Sequence, residues 1–240
     1  MDDTQVKSIQ LKTILNDCHI YVQKLCSDNN IADDHGYAHA YTVSKLAHIG
    51  LSDFSEITEL EAILVMLAAL MHDIDDAKIF NTQNYANANA FLDNQPMLRH
   101  ADKQFVIRMI SLVSYSQNKN TIPADIPKWA LIPRDADRIS GGGDEGITRT
   151  LAFNTSSRGR PIITHKDMSA FGSRPISRAD IQLLYDNTTT RQTSLFEFYI
   201  TNWYDRGVCA SGSDKLQKKF EVEYNVLLDF WVGQINAYTL

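Results

Sequence analysis

Three places in this 240-residue chain gather side chains able to do chemistry: His35 with His39, the adjacent pair His72-Asp73, and Asp135 with Asp137 just before Arg138. The middle pair is the most informative. The segment Met71-His72-Asp73-Ile74-Asp75-Asp76 closes the run from Ala62 to Met71, the most apolar in the chain. An imidazole and three carboxylates therefore arrive against what should be core. Burying unpaired charge at that density costs on the order of several kcal/mol per ion, so a compensating cation is required. A divalent metal is the simplest one. Two His with two carboxylates offer mixed nitrogen and oxygen donors, which suit Mn2+, Fe2+, Co2+, Ni2+ or Zn2+ better than Ca2+ or a thiolate-seeking ion. Four protein ligands on an octahedral ion leave positions open, where a bound water becomes acidic enough to act as hydroxide near neutral pH. The chemistry implied is hydrolysis.

Helices must position these groups. Adjacent His72 and Asp73 diverge by roughly 100° on a helix, so they converge on one ion only at a helix end, with the remaining donors coming from neighbouring helices. Apolar residues recur at spacings of three and four, as in Leu11, Leu15, Cys18, Val22 and Leu25. This predicts a first helix over about residues 5–27 and a second ending at Gly50 as its C′ residue. A third is capped by Thr58, carries Glu59 and Glu61 in its first turn, and is apolar all round and so central. Further helices are expected near 87–93, 101–114, 127–140, 145–154, 194–204 and 215–235. Strand patterns are scarce. The stretch from about 155 to 190, rich in Ser, Thr, Arg, Gly and Pro, reads as an irregular excursion with helical signal only around 177–185. The expectation is an all-α helical bundle forming a single domain over residues 1–240.

The order and spacing of His39-Ala40-Tyr41-Thr42-Val43, His72-Asp73 and Asp135-Ala136-Asp137-Arg138-Ile139 resemble the H…HD…D signature of the HD-domain metal-dependent phosphohydrolases. The likeness is closest to a small bacterial-type branch with a second His four residues before the first, as His35 precedes His39. In that branch the pair continues as HDIxDxK, matched by His72 to Lys78, and the last motif reads DADRLDA followed by GIxR, matched by Asp135 to Ile139 and by Gly146-Ile147-Thr148-Arg149. The resemblance covers about residues 33–153, the metal-site core, and leaves about 154–240 as a C-terminal helical part.

The resemblance implies an HD-domain-like bundle with His39, His72, Asp73 and Asp137 as metal ligands and Asp135 as rival for the fourth place. The ion would be a single Mn2+, Fe2+, Co2+, Ni2+, Zn2+ or Mg2+. Asp76 would orient or deprotonate the attacking water, Lys78 would steady substrate phosphate, and His35 would support the ligands or touch the leaving group. Arg138 and Arg149 could add charge at the phosphate. The implied activity is hydrolysis of a phosphate ester or anhydride, most often a nucleotide. Thr42, Ser140 and Gly141-Gly142-Gly143 depart from the branch pattern, which motivates an alternative: an impaired HD-type protein that binds a nucleotide or partner in a regulatory role. Iron-centred oxidation is a third reading. The segment around Leu112 to Ser116 lacks the His that many HD hydrolases carry on an intermediate helix, so one ion is expected rather than two.

Composition bounds the rest. With 23 basic and 29 acidic residues the net charge is −6, which argues against a stable nucleic-acid complex. Cys18, Cys26 and Cys209 form no CxxC pair and read as reduced thiols, the first two as packing residues. Met1-Asp2-Asp3-Thr4 lacks the features of a signal peptide and no apolar run reaches membrane length, so a cytoplasmic location without membrane contact is expected. Trp129, Trp203, Trp231 and the cluster Phe196 to Tyr199 read as core or as a contact in a homodimer. The Gly141 to Gly143 run reads as a flexible joint rather than a phosphate loop. Asp75 is read as solvated or as a cap.

Overall fold

The apolar-all-round stretch does become the central helix. In the computed structural model, which describes residues 3–32, 35–77, 79–80, 82–114, 118, 121–157, 161–164, 167, 171–172, 174–187, 194–196 and 209–238, α3 spans Glu59–Met71. Val65, Leu67, Ala68, Ala69, Leu70 and Met71 on it have no measurable exposure. A fully buried aliphatic side chain contributes about 1.5–3 kcal/mol, so this one helix supplies a large share of the hydrophobic stabilisation. Its start follows the sequence: Thr58 accepts the Glu61 amide while Glu61 accepts the Thr58 amide, a reciprocal cap.

Around α3 stand α1 (Asp3–Asp28), α2 (Tyr37–Leu51), α4 (Ala86–Asp93), α5 (His100–Val113), a 3-10 turn (Lys128–Leu131) and α6 (Ile132–Ser140). Helix α2 packs on α6 and α3, while α3 also touches α1, α5 and α6. Leu11, Ile14, Cys18, Val22 and Cys26 bury one stripe of α1. Three more helices follow: α7 (Gly143–Ser157), α8 (Arg178–Asn187) and α9 (Asp214–Tyr238). The all-α expectation holds, with no strand among the described residues. No helix among them is long and apolar enough to cross a membrane.

Where the sequence reading draws one domain, contacts cluster into two compact units, residues 1–140 with 210–216 and residues 141–209 with 217–240. In the second, Phe196 and Trp231 meet at 5.2 Å between ring centroids and both are buried, so this aromatic pair is core. The excursion contains α8, which matches the helical signal at 177–185. Arg178 on α8 pairs with Asp229 on α9, and Asn236 accepts the Ile176 amide at 2.8 Å and donates to its carbonyl. Of the helix expected over 194–204, residues 197–204 lie outside the described residues, as does Trp203. Gly143 opens α7 with φ +63, and an added Cβ would stand 1.9 Å from a Glu223 carboxylate oxygen. Gly143 is therefore held in one backbone conformation, which a flexible joint does not require.

Gly50 does not end α2 as expected, because the helix runs on to Leu51 and is closed by Ser52. The reason for a glycine there is space: a Cβ would lie 2.6 Å from Leu216 Cδ1 and 3.3 Å from Ile132 Cγ2. Alanine is the better helix former by about 1 kcal/mol, whereas overpacking a filled core costs about 1–3 kcal/mol. Gly50→Ala is therefore expected to lower the denaturant midpoint. A raised midpoint would show that Leu216 yields easily.

Candidate metal centre

Three of the four expected ligands sit where a helix begins or ends, and Asp137 lies within α6. The chain enters α2 by a turn in which the His35 amide bonds the Ala32 carbonyl, and Gly36 follows because a Cβ there would come within 2.8 Å of that oxygen. One turn later His39 points inward and is 3% exposed. His72 is the C-cap of α3, so Asp73 leaves the helical path and can turn back across the terminus. Asp137 comes from α6, which packs on both α2 and α3.

These four side chains converge. His39 Nε2 and His72 Nε2 are 3.1 Å apart. Asp73 Oδ2 lies 3.5 Å from the former and 3.2 Å from the latter, and Asp137 Oδ1 lies 3.2 Å and 3.5 Å from the same two atoms. Donors held about 2.0–2.2 Å from one ion stand roughly 2.8–3.1 Å apart at right angles and roughly 3.3–3.6 Å apart at tetrahedral angles. The observed spacings, 3.1–3.5 Å, lie between the right-angle and tetrahedral limits. His39, His72 and Asp137 form a group able to hold a metal ion among the described residues, and Asp73 stands beside the two imidazoles.

The tautomer supports the same conclusion. His72 Nδ1 lies 2.9 Å from the Ala69 carbonyl oxygen, which accepts only a proton-bearing nitrogen. In neutral His72 the Nε2 lone pair therefore faces the cluster, the arrangement usual for a metal-ligating imidazole. That lone pair meets a second imidazole nitrogen and two carboxylate oxygens, so a positive charge must lie among them. Protons on the imidazoles or a divalent ion can each meet the requirement.

The titration behaviour shows how strongly. Burial opposes the charged form of His72, yet Asp73 and Asp137 outweigh it and raise its pKa well above the usual value. Burial likewise opposes ionisation of Asp73 and Asp137, but the imidazoles hold both carboxyls well below the usual range.

The rivals and neighbours divide cleanly. Asp135 is 1% exposed and turned to the Ser211 amide at 2.7 Å, with Arg134 at 3.5 Å. Asp137 is the carboxylate placed beside His39 and His72. Burial raises the Asp135 pKa against the opposing Ser211 hydrogen bond. His35 Nδ1 is 3.2 Å from Asp73 Oδ2, and its side chain is 30% exposed against 2% for His39 and 0% for His72. The Asp76 amide donates to the Asp73 carbonyl at 3.0 Å, so its backbone is tied to the turn. Arg138 is buried on α6 next to Asp137. Arg149 lies on α7 in the second unit. Lys78 lies outside the described residues.

One contributor escaped the sequence reading: the Ala69 carbonyl that fixes His72 carries no side-chain signature. Of the two readings of Asp75, solvated or capping, the second holds, since it accepts the amides of Asn87 and Ala88 at the start of α4. A groove of about 660 Å3, lined in part by Lys7, Glu59, Arg99, Phe105 and Trp129, lies at the Thr58 end of α3, opposite His72.

These shifts fix the sign of a pH effect. The carboxylates contribute stability above about pH 4, the unfolded value, and lose it as pH falls through their depressed folded values. Raised His72 contributes fully below about pH 6.5 and loses that contribution as pH rises through its folded value. Divalent metal needs the deprotonated imidazole and so replaces what is lost. The increase in Tm given by saturating Mn2+ is therefore expected to grow between pH 6 and pH 8.5. An increase independent of pH would contradict this charge assignment.

No family model matches the chain. An uncharacterised protein of Acanthamoeba polyphaga mimivirus is 32% identical over 144 residues, 55% of this chain, and the chain spans 58% of that relative's length. A solved protein of Lactobacillus plantarum superposes with a TM-score of 0.64 at 18% identity, covering 94% of this chain and 96% of its own. One of Listeria innocua gives 0.54 at 18% identity, covering 99% and 95%. At these identities the two structures show a shared all-helical fold.

Proposed function

We propose that this chain is a metal-dependent phosphohydrolase of the HD type, acting on a phosphate ester or anhydride, with nucleotides the favoured substrate class. The reading rests on one observation: four donors from α2, the end of α3 and α6 stand 3.1–3.5 Å apart across five of their pairings, in the order His, His-Asp, Asp along the chain. His39, His72, Asp73 and Asp137 would hold the ion. Their two carboxylates balance a 2+ charge, leaving a neutral centre that tolerates burial.

A divalent ion held by these residues would supply Lewis acidity toward a phosphoryl oxygen and lower the pKa of water toward neutrality. The protein's own groups would do the rest. His35, the most exposed of the three imidazoles, would support Asp73 and meet the departing leaving group. Asp76 would take the proton of the attacking water, and Lys78 and Arg138 would neutralise phosphate charge. Phosphoryl transfer asks chiefly for such positioning and neutralisation. The −6 net charge suits a small phosphorylated substrate drawn to a local cationic pocket rather than a polyanion.

A panel of phosphomonoesters, phosphodiesters and nucleoside triphosphates assayed with Mn2+, Co2+, Mg2+ and Zn2+ tests the proposal. His72→Ala and Asp137→Asn are each expected to lower kcat/KM by more than roughly 100-fold, beyond the usual effect of losing an outer partner of a ligand. Nucleotide binding without turnover under any ion would replace the enzyme by the regulatory alternative. Dioxygen consumption by the Fe2+ form would replace it by an oxidase.

A further inference from the structure

The turn that carries His72 and Asp73 is fastened to a neighbouring helix by groups outside the ligand set. Helix α4 is short, and its N-cap residue Tyr85 provides no side-chain acceptor. The amides of Asn87 and Ala88, the second and third of that helix, need one. Asp75 supplies it from 12 and 13 residues upstream: Oδ1 accepts Asn87 N at 3.0 Å and Oδ2 accepts Ala88 N at 2.9 Å. Asn87 returns the contact, its side-chain amide donating to the Ile74 carbonyl at 2.6 Å. Its own carbonyl accepts the Tyr21 hydroxyl from α1 at 2.9 Å.

A local cap at position 85 would have served α4 by itself. The chain instead places Asn84 and Tyr85 in the left-handed region, at φ 54 and φ 55, sparsely populated for residues with side chains. Held strain of that kind concentrates where geometry matters to function. Its effect here is to bring the α4 N-terminus against residues 74 and 75, directly after Asp73. The Ile74 carbonyl and the Asp75 carboxylate are both held, and the Ile74 side chain is buried at 2% exposure. The backbone on the C-terminal side of Asp73 is thus fixed, while His35 holds its Oδ2 at 3.2 Å.

We propose that Asp75 and Asn87 are positioning residues for the metal centre, a clamp through which α4 sets the placement of the Asp73 carboxylate. The inference rests on the metal-binding reading above and extends it to residues outside the four ligands.

The test compares Asp75→Asn and Asn87→Ala with Thr58→Ala, which removes a cap of the same kind at the other end of α3. Mn2+ affinity, the visible spectrum of the Co2+ form and Tm are measured on the full chain. The two clamp variants are expected to weaken Mn2+ binding by about 10- to 100-fold, the usual effect of losing an outer partner, and to alter the Co2+ spectrum, with Asp75→Glu restoring part of the loss. Thr58→Ala is expected to lower Tm with Mn2+ affinity unchanged. Clamp variants that lose Tm while keeping Mn2+ affinity within twofold would reduce Asp75 to an ordinary helix cap and overturn the proposal. Asn87→Ala, which removes only the Ile74 contact, decides the matter if Asp75→Asn fails to fold. Absence of Mn2+ and Co2+ binding by the unaltered chain would remove the metal reading and the clamp with it. Binding that His72→Ala abolishes and the clamp variants leave intact would remove the clamp alone.

Discussion

Two carboxylates and two imidazoles crowded together at the edge of a hydrophobic core form an arrangement whose charges must be balanced where they stand, by protons on the imidazoles or by a cation. Every element of the first unit answers to that constraint. Helix α3 is apolar enough to be central because its last residue before the cluster, Met71, has no exposure. Helices α2 and α6 pack on it and on each other, which brings His39 and Asp137 to the one helix end where His72 and Asp73 emerge together. Moving any of the three helices by one turn, about 5.4 Å, would separate donors now 3.1–3.5 Å apart.

Much of this was legible in the residue order. The all-round apolar run predicted the central helix, and the Thr58 to Glu61 pattern predicted its start, because both signals are local. The His, His-Asp, Asp sequence predicted the donors, because buried charge without compensation is too costly to arise by packing alone. Choosing Asp137 over Asp135 was not legible. Two residues apart on α6, the two carboxylates point about 200° apart, and only the Ser211 amide, 76 residues away, shows which one is turned elsewhere. The resemblance suggested Asp137, which does stand beside His39 and His72, but the physical reason lies in a contact that no local pattern encodes.

Gly50 misled for a related reason. Glycine after an apolar stripe usually ends a helix, and here it makes room for Leu216. The division at Ser140 was equally hidden, since helical periodicity continues on both sides of it. Asp75 sat between two readings, solvated or capping, because its partners Asn87 and Ala88 follow an irregular loop whose left-handed residues, Asn84 and Tyr85, have no distinctive composition.

The first unit is also discontinuous along the chain. Its final piece, residues 210–216, delivers the Ser211 amide to Asp135, gives the Ser213 hydroxyl and the Lys215 amide to Asp53, and sets Leu216 beside Gly50. On a ribosome, the first 140 residues emerge long before that segment exists. Until it arrives, a carboxylate two positions from a proposed ligand lacks the amide that restrains it, and a notch in α2 stands unfilled. The first unit is therefore incomplete until residues 210–216 have left the ribosome and docked on residues 1–140.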